Sequence, residues 1–396
     1  MSKAFKTPAD MAQKFFPIHF QISNQCPTHI GEDLYLCGSF NNWSQEHIYL
    51  GKIPAVGETL NADLEALKAG EWELKLSRGQ WHNLFASPAG KLADPVILNH
   101  SKESELALTI EAWRDDFPAS TASKEVHILD EHFFFPNLDV YRKVLIYLPA
   151  NYAQHQKRYP VLYMHDGQHV FDEATSVGRS GPIEWQVDET INQATEQAIV
   201  VAIYHARTFR LREQEYMVHN SEEIQDAKGF LYLEDIVEVL KPFIDKQYRT
   251  LPDSQHTAML GSSLGGLISL YAGIKYPEVF GWIGAFSPSI WMDEEKLYEF
   301  SSNSLNEHAD LYVQQQLYFY IGSREIRNNR DHKPSNMLRD LEHYNDWLTD
   351  QYPGTISFSW NEQGKHGAFY WQKAFVDFFK YWQEQLTLIH KAHDLH

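Results

Sequence analysis

Residues 256–274 read HTAMLGSSLGGLISLYAGI, and residues 261–265 within this stretch form a G-x-S-x-G pattern. A strand-like run precedes the pattern and a helix-like run follows it. A turn this sharp needs glycine on both sides of Ser263, because the backbones approach too closely for side chains. The turn also sets the Ser263 hydroxyl at the positive end of a helix, where the Leu264 amide can bind an oxyanion. We interpret Ser263 as a candidate nucleophile, and the alternative is a glycine-rich helix start that matches by chance.

A nucleophilic serine needs a base and an acid, and both have candidates later in the chain. His366 lies in NEQGKHGAFYW, a glycine-flanked loop between the strand-like TISFSW and an aromatic helix-like run. The acid is expected just after the strand-like LYFYI, where GSRE supplies Glu325, with Asp331 as its rival. The structural alternative for Glu325 is a surface ion pair with Arg324 or Arg327. The order serine, acid, histidine is that of α/β-hydrolases.

A second oxyanion donor is expected in YMHDGQHVFD, at the end of an earlier strand-like run. We assign it to the amide of Gln168, with Gly167 as a near alternative. The same segment contains four side chains that are able to bind metals: His165, Asp166, His169 and Asp172. Their spacing matches no established metal pattern, so we expect Asp166 to brace the turn and predict neither metal nor cofactor.

Composition excludes several classes of protein. The chain has 396 residues, of which 43% are hydrophobic, and a net charge of −19. This charge argues against nucleic acid and anionic membranes as partners. The two cysteines, Cys26 and Cys37, are too few for a disulfide framework, although they remain able to pair. No secretory signal or membrane-length apolar run is present, so a cytoplasmic location is expected.

The sequence pattern changes once along the chain. Short alternating runs such as HFQIS and DLYLCGSF, separated by turn-like clusters, predict a small antiparallel, immunoglobulin-like β-sandwich over residues 1–118. The polar segment RDDFPASTASK then indicates a linker. Over residues 119–396, strand-like and helix-like runs alternate, which predicts an α/β domain with a mostly parallel sheet flanked by helices.

Several motifs in order make the chain resemble the esterase D and enterochelin-esterase-like (Fes/IroE-type) branch of α/β-hydrolases. They include VLYMHDGQHVFD, LREQEY, MLGSSLGGLISLYAG, FSPSIW and GKHGAFYW, and the match covers most of residues 124–385. The resemblance implies a catalytic triad made of Ser263, Glu325 and His366. It also implies that three residues line the substrate pocket: Trp185, Arg212 and Trp291.

Structural alternatives stay open for these three pocket residues. Trp185 and Trp291 also suit a hydrophobic core, and Arg212 also suits an ion pair with Glu215. The sequence departs from the family in one motif, since GSREI stands where the family form is GT-x-E. It also lacks the export signal of secreted polysaccharide-side-chain esterases.

The N-terminal segment resembles the starch- or glycogen-binding sandwiches that precede some of these esterases. The resemblance rests on GEDLYLCGSFNNW and WELKLSRGQW, where Trp43 and Trp81 are the candidates for stacking on sugar rings. The W-E-x-x-P-N-R-type stretch of such domains is absent. The alternative is a sandwich that packs on the hydrolase and shapes its pocket.

These observations lead to one main hypothesis and two alternatives. The main one is a serine ester hydrolase that acts on a small molecule through an acyl-enzyme. The alternatives are an acyltransferase on the same fold and a non-catalytic carbohydrate-binding protein with a degenerate hydrolase domain. Siderophore trilactones, acylated sugars, thioesters and short-chain esters all remain as substrates, and the oligomeric state is open.

Overall fold

A computed structural model describes three stretches of the chain: residues 14–176, 181–328 and 334–393. They form two compact units. The first holds the described residues up to position 121 together with 181–183, and the second holds 122–176 and 184–393. The boundary after residue 118 stays a prediction.

The first unit consists of β-strands. They are β1 (Phe15–Asn24), β2 (Asp33–Gly38), β3 (Ile48–Lys52), β4 (Thr59–Lys68), β5 (Gly70–Ser77), β6 (Phe85–Ala86), β7 (Val96–His100), β8 (Ser104–Ile110) and β9 (Ala112–Trp113). They pair as a three-stranded sheet (β4-β1-β8), a four-stranded sheet (β3-β2-β5-β7) and a short pair (β6-β9). Alternate residues of the strands face one shared core, as a half-buried pleated strand requires.

An N-terminal β domain is therefore confirmed, with one difference from the expected antiparallel pairing. Strands β1 and β8 are parallel, with Ile18 opposite Ser104 and Asn24 opposite Ile110. Parallel neighbours need a long connection, and these strands come from opposite ends of the unit. A local pattern of alternating residues does not reveal such a pairing. The immunoglobulin-like description stays a prediction.

The second unit mixes strands and helices. Its strands are β10 (Val126–Phe135), β11 (Val140–Tyr147), β12 (Val161–Met164), β13 (Ile199–Ile203), β14 (Thr257–Ser262), β15 (Trp282–Phe286), β16 (Gln316–Gly322), β17 (Ile326–Asn328), β18 (Pro334–Asn336) and β19 (Thr355–Asn361). Its α-helices are α1 (Val187–Asn192), α2 (Phe209–Tyr216), α3 (Gly229–Asp235), α4 (Lys241–Gln247), α5 (Leu264–Lys275), α6 (Glu294–His308), α7 (Met337–Thr349) and α8 (Ala368–His393).

Eight of these strands form one sheet, in the order β10-β11-β13-β12-β14-β15-β16-β19. The first three pair antiparallel, and all pairings from β13 to β19 are parallel. Strands β12 to β15 are buried along their whole length, as expected for a sheet covered on both faces. The predicted α/β class is confirmed. Because these strands are parallel, their carboxyl ends meet at one edge, where ligand sites of open α/β sheets lie.

Two smaller expectations concern the cysteines and membranes. Cys26 and Cys37 are both buried free thiols, so they do not form a disulfide. Burial raises the pKa of the Cys37 thiol to about 12. Within the described parts of the chain, no helix is both long and apolar enough to span a bilayer.

Candidate active site

The turn between β14 and α5 holds Ser263 in an unusual backbone conformation. Its φ is +58°, in the region that favours glycine, and its amide donates to the carbonyl of Phe286 on the neighbouring β15 at 2.9 Å. This bond ties the turn to the sheet just before α5 begins at Leu264. A non-glycine residue in such a conformation often marks a functional position.

The flanking glycines are needed for the reason that the sequence suggested. A Cβ atom on Gly261 would lie 2.5 Å from the backbone of Gly265 and 2.8 Å from the His165 ring. No side-chain rearrangement relieves a contact with backbone. The segment after β12 also lies against this turn, since a Cβ on Gly265 would be 3.2 Å from a carboxylate oxygen of Asp166.

The three predicted triad residues form one hydrogen-bonded chain. Ser263 Oγ lies 3.1 Å from His366 Nε2, and His366 Nδ1 lies 2.6 Å from Glu325 Oε2. Glu325 is fully buried, whereas the His366 side chain is 34% exposed. A carboxylate only accepts, so Nδ1 carries the donated proton and Nε2 accepts from the serine. Asp331, the rival acid, lies outside the described residues.

Burial of a carboxylate is unfavourable unless donors compensate it. Glu325 Oε1 accepts hydrogen bonds from the Gly322 amide at 2.8 Å and from the Ser287 hydroxyl at 2.6 Å. The second oxygen is left for His366. The structural alternative, a surface ion pair of Glu325 with Arg324 or Arg327, does not describe these contacts of its buried carboxylate.

Both predicted oxyanion amides lie at the expected turns. Leu264 is the first residue of α5, and Gln168 lies in a short 3₁₀ turn, Gly167–His169, just beyond β12. Neither amide has a hydrogen-bond acceptor among the described residues. Gly167 packs tightly on β13, since a Cβ there would be 2.8 Å from the backbone of Ala202.

Arg212 forms an ion pair with Asp166, in the turn after β12, and not with Glu215. Its Nε and Nη2 donate to the two carboxylate oxygens of Asp166 at 2.6 and 2.7 Å, and Arg212 is 7% exposed. Burial raises the pKa of Asp166, but the Arg212 charge outweighs it and holds that pKa well below its usual range. Glu215 pairs with Arg142 instead. A pocket-lining role for Arg212 stays a prediction.

The two tryptophans differ in their surroundings. Trp185 is 5% exposed and stacks on Phe286, with ring centroids 5.6 Å apart, and it also contacts Trp371. Trp291 is half-buried beneath the guanidinium of Arg327, 5.0 Å from its ring centroid. Its indole Nε1 is buried and has no acceptor within the part of the chain that the structure describes. Their pocket roles stay predictions.

The four potential metal ligands near β12 all have protein partners. His165 bonds the Tyr232 hydroxyl, Asp166 binds Arg212, His169 bonds the Ser176 hydroxyl, and Asp172 accepts from the Ala174 amide. Asp166 thus braces the turn, as the sequence suggested. Burial lowers the pKa of His165 and of His169 to about 4, so both rings are neutral near pH 7.

A cluster of three acidic side chains lies at the start of α1 and just before it. The carboxylates of Glu184, Asp188 and Glu189 have oxygens within 4.8 Å of one another. Asp188 is fully buried and accepts from the Ser123 amide at 2.7 Å. Burial, aided by repulsion from Glu189, raises the pKa of Asp188 to about 7.

Sequence reasoning missed three side chains next to the hydrogen-bonded chain of Ser263, His366 and Glu325. Ser289 Oγ lies 3.2 Å from Ser263 Oγ. Ser287 donates to Glu325, and the Trp371 indole N–H donates to Ser287 Oγ at 2.9 Å. For the two serines the available signal was FSPSIW, because they follow β15 at the sheet edge where Ser263 lies.

The candidate sugar-binding residues of the first unit pack against each other. The rings of Trp43 and Trp81 are 6.0 Å apart, and His47 contacts Trp81 edge-on at 5.2 Å. Both tryptophans are half-buried rather than exposed. Carbohydrate binding there stays a prediction.

A strand–turn–helix nucleophile site at the carboxyl edge of a mostly parallel sheet defines the α/β-hydrolase class of folds. Residues 136–392 match the model of the esterase family, described as "Putative esterase". The chain belongs to this family and is a hydrolase. The BES protein from Bacillus cereus has a similar fold, with a TM-score of 0.50 and 19% identity over 64% of this chain and 93% of that protein.

Two relatives have named activities. The chain is 26% identical to an endo-1,4-beta-xylanase/feruloyl esterase from Xylanibacter ruminicola over 60% of this chain and 32% of that protein. It is 24% identical to an iron(III) salmochelin esterase from Escherichia coli O6:H1 over 64% of this chain and 61% of that protein. Both matches cover less than two thirds of the relative.

Gly261→Ala tests the elbow. We expect a loss of roughly 1–3 kcal/mol of unfolding free energy, because the added methyl forces the backbone of Gly265 away. Gly367→Ala is the matched control, since a Cβ at Gly367 would meet nothing within 4 Å. Urea denaturation measures both, and equal stability of the two variants would contradict the close approach.

Arg212→Met tests the pair with Asp166. It leaves a buried carboxylate without its cation, so the expected loss is about 3–5 kcal/mol. Adding Asp166→Asn to this variant is expected to restore part of that loss. The exposed Arg210, on the same helix, gives the control Arg210→Met. If the double variant is no more stable than Arg212→Met, Asp166 is not the charge that Arg212 compensates.

Asp188→Asn tests the acidic group. The folded pKa near 7 exceeds the unfolded value near 4, so stability falls as pH rises between these values. Asparagine cannot ionise, so the variant should melt above the wild type at pH 8, with a smaller difference at pH 4.5. Exposed Asp226 gives the control Asp226→Asn. A lower melting temperature for Asp188→Asn at pH 8 would show that the ionised carboxylate is favoured.

Proposed function

We propose that this hydrolase is a serine carboxylic-ester hydrolase that acts on a small-molecule ester through an acyl-enzyme. The observation that carries the proposal is the hydrogen-bonded chain from Ser263 through His366 to Glu325. Its members follow three parallel strands of one sheet, β14, β16 and β19, so the sheet fixes their spacing. The His366 side chain is 34% exposed and Ser263 is half-buried, so both residues are partly open to solvent.

In the acylation step, Ser263 Oγ attacks the ester carbonyl carbon while His366 Nε2 takes the hydroxyl proton. Glu325 keeps Nδ1 as the donor nitrogen and stabilises the positive charge that forms on the ring. His366 then returns the proton to the departing alkoxide, and the alcohol leaves. The product is an ester between the substrate's acyl group and Ser263.

The negative charge on the carbonyl oxygen needs donors that are already in place. The amides of Leu264 and Gln168 are suited to this task, because both lack acceptors in the described chain and lie at adjoining turns. Leu264 opens the twelve-residue helix α5, whose positive end adds to the field. In the second step, water activated by His366 attacks the acyl carbonyl and releases the acid and free Ser263.

The relatives guide the choice of substrate. Their names refer to feruloyl and salmochelin esters, so we propose feruloyl and siderophore esters as the first classes to test, beside short-chain esters. The acyl group and the alcohol differ widely among these. A panel that varies one of them at a time identifies which part the site selects.

Ser263→Ala is expected to lower kcat on p-nitrophenyl acetate by at least about 1,000-fold, because the nucleophile is removed. A fluorophosphonate probe should label the wild type on the peptide containing Ser263. The neighbouring variant Ser262→Ala is the control and should still be labelled. Wild-type turnover by Ser263→Ala, or labelling at another serine, would refute the proposal.

A further inference from the structure

Ser287 occupies a constrained position beside the triad. It follows β15 directly, is fully buried, and has a φ of +43°, in the region that favours glycine. Its amide donates to the carbonyl of Tyr320 on β16 at 2.6 Å, which anchors the residue to the strand that precedes Glu325. This backbone conformation costs more free energy for serine than for glycine, which indicates that the serine hydroxyl has a role here.

The direction of the Ser287 hydroxyl follows from its two neighbours. The Trp371 indole N–H, 2.9 Å away, is only a donor, so Ser287 Oγ accepts from it. Glu325 Oε1, 2.6 Å away, is a carboxylate oxygen that accepts from the Ser287 O–H. Trp371 therefore leaves the hydroxyl proton aimed at Glu325.

Trp371 also contacts the other end of the acid–base pair. Its ring meets the His366 ring edge-on, with centroids 4.9 Å apart and planes at 87°. The half-buried Trp371 ring also contacts Trp185, with ring centroids 6.0 Å apart. One side chain thus restrains the imidazole and orients the hydroxyl that binds its acid.

We infer that Ser287, oriented by Trp371, is a positioning residue that holds the Glu325 carboxylate charged and turned toward His366. This inference rests on the proposed function. Glu325 is fully buried, and its Oε1 depends on two donors, the Gly322 amide and the Ser287 hydroxyl. Without the hydroxyl, the carboxylate has one donor fewer to fix its rotation, and Oε2 loses its alignment with Nδ1.

Ser287→Ala is expected to lower kcat about 10- to 100-fold with little change in KM, as for the loss of one hydrogen bond to a charged group. The acidic limb of the kcat/KM profile should move to lower pH, because a carboxylate that is no longer aligned with Nδ1 stabilises the protonated ring less. Wild-type kcat and an unmoved limb would overturn the inference.

Two variants separate positioning from folding. Trp371→Phe keeps a ring against His366 but removes the N–H, so it should shift the same limb with a smaller loss of kcat. Ser301→Ala removes an equally buried hydroxyl on α6, bonded to Leu297 and Tyr344, and should leave the pH profile unchanged. If Ser287→Ala does not fold, an unmoved limb in Trp371→Phe would still overturn the inference.

A double-mutant cycle shows whether Ser287 acts through Glu325. In a Glu325→Gln background, Ser287→Ala should lower kcat less than about two-fold, because the charged carboxylate is already gone. An undiminished effect would overturn the inference. Failure of the proposed function looks different: Ser263→Ala would then retain activity. If Ser263→Ala and Glu325→Gln are impaired and Ser287→Ala is not, only the positioning role is wrong.

Discussion

The backbone turn at Ser263 is the constraint on which the site depends. Its positive φ of +58° is unfavourable for a residue with a Cβ, by roughly 1–3 kcal/mol. The turn is held in place by the hydrogen bond from the Ser263 amide to the Phe286 carbonyl and by the close approach of Gly261 to Gly265. Because the turn is fixed to the sheet, the hydroxyl is held within hydrogen-bonding distance of His366 Nε2, and α5 begins at the next residue.

An ion pair fixes the neighbouring turn after β12. Asp166 also has a left-handed backbone, and both of its carboxylate oxygens are bound by Arg212. The turn carries Gln168, so the ion pair fixes an amide that we propose as an oxyanion donor. Arg212, which the sequence suggested would line the substrate pocket, thus supports the turn through Asp166. Lysine would not reproduce this bidentate contact.

The sequence carried the main features of this site because they depend on order along the chain. Ser263, Glu325 and His366 each follow a recognisable strand, and parallel strands bring such positions to one edge. Ser287 could not be recognised from the sequence, because its role depends on the direction of its hydroxyl. Trp371, 84 residues away, sets that direction. The ion pair of Arg212 with Asp166 could not be predicted either, because it joins residues that are distant in the sequence. The parallel pairing of β1 with β8 in the first unit likewise joins distant segments, which local sequence patterns do not reveal.

Strand β19, which leads to the loop of His366, is the last strand at one margin of the eight-stranded sheet. Its residues are mostly half-buried, unlike those of the central strands. Marginal strands open locally at a lower free energy than central ones. Opening of this margin would carry His366, the proposed base, away while Ser263 stays in place at the end of the interior strand β14. Heat or mild denaturant is therefore expected to silence the enzyme before the molecule as a whole unfolds, and cooling would restore it without refolding the core.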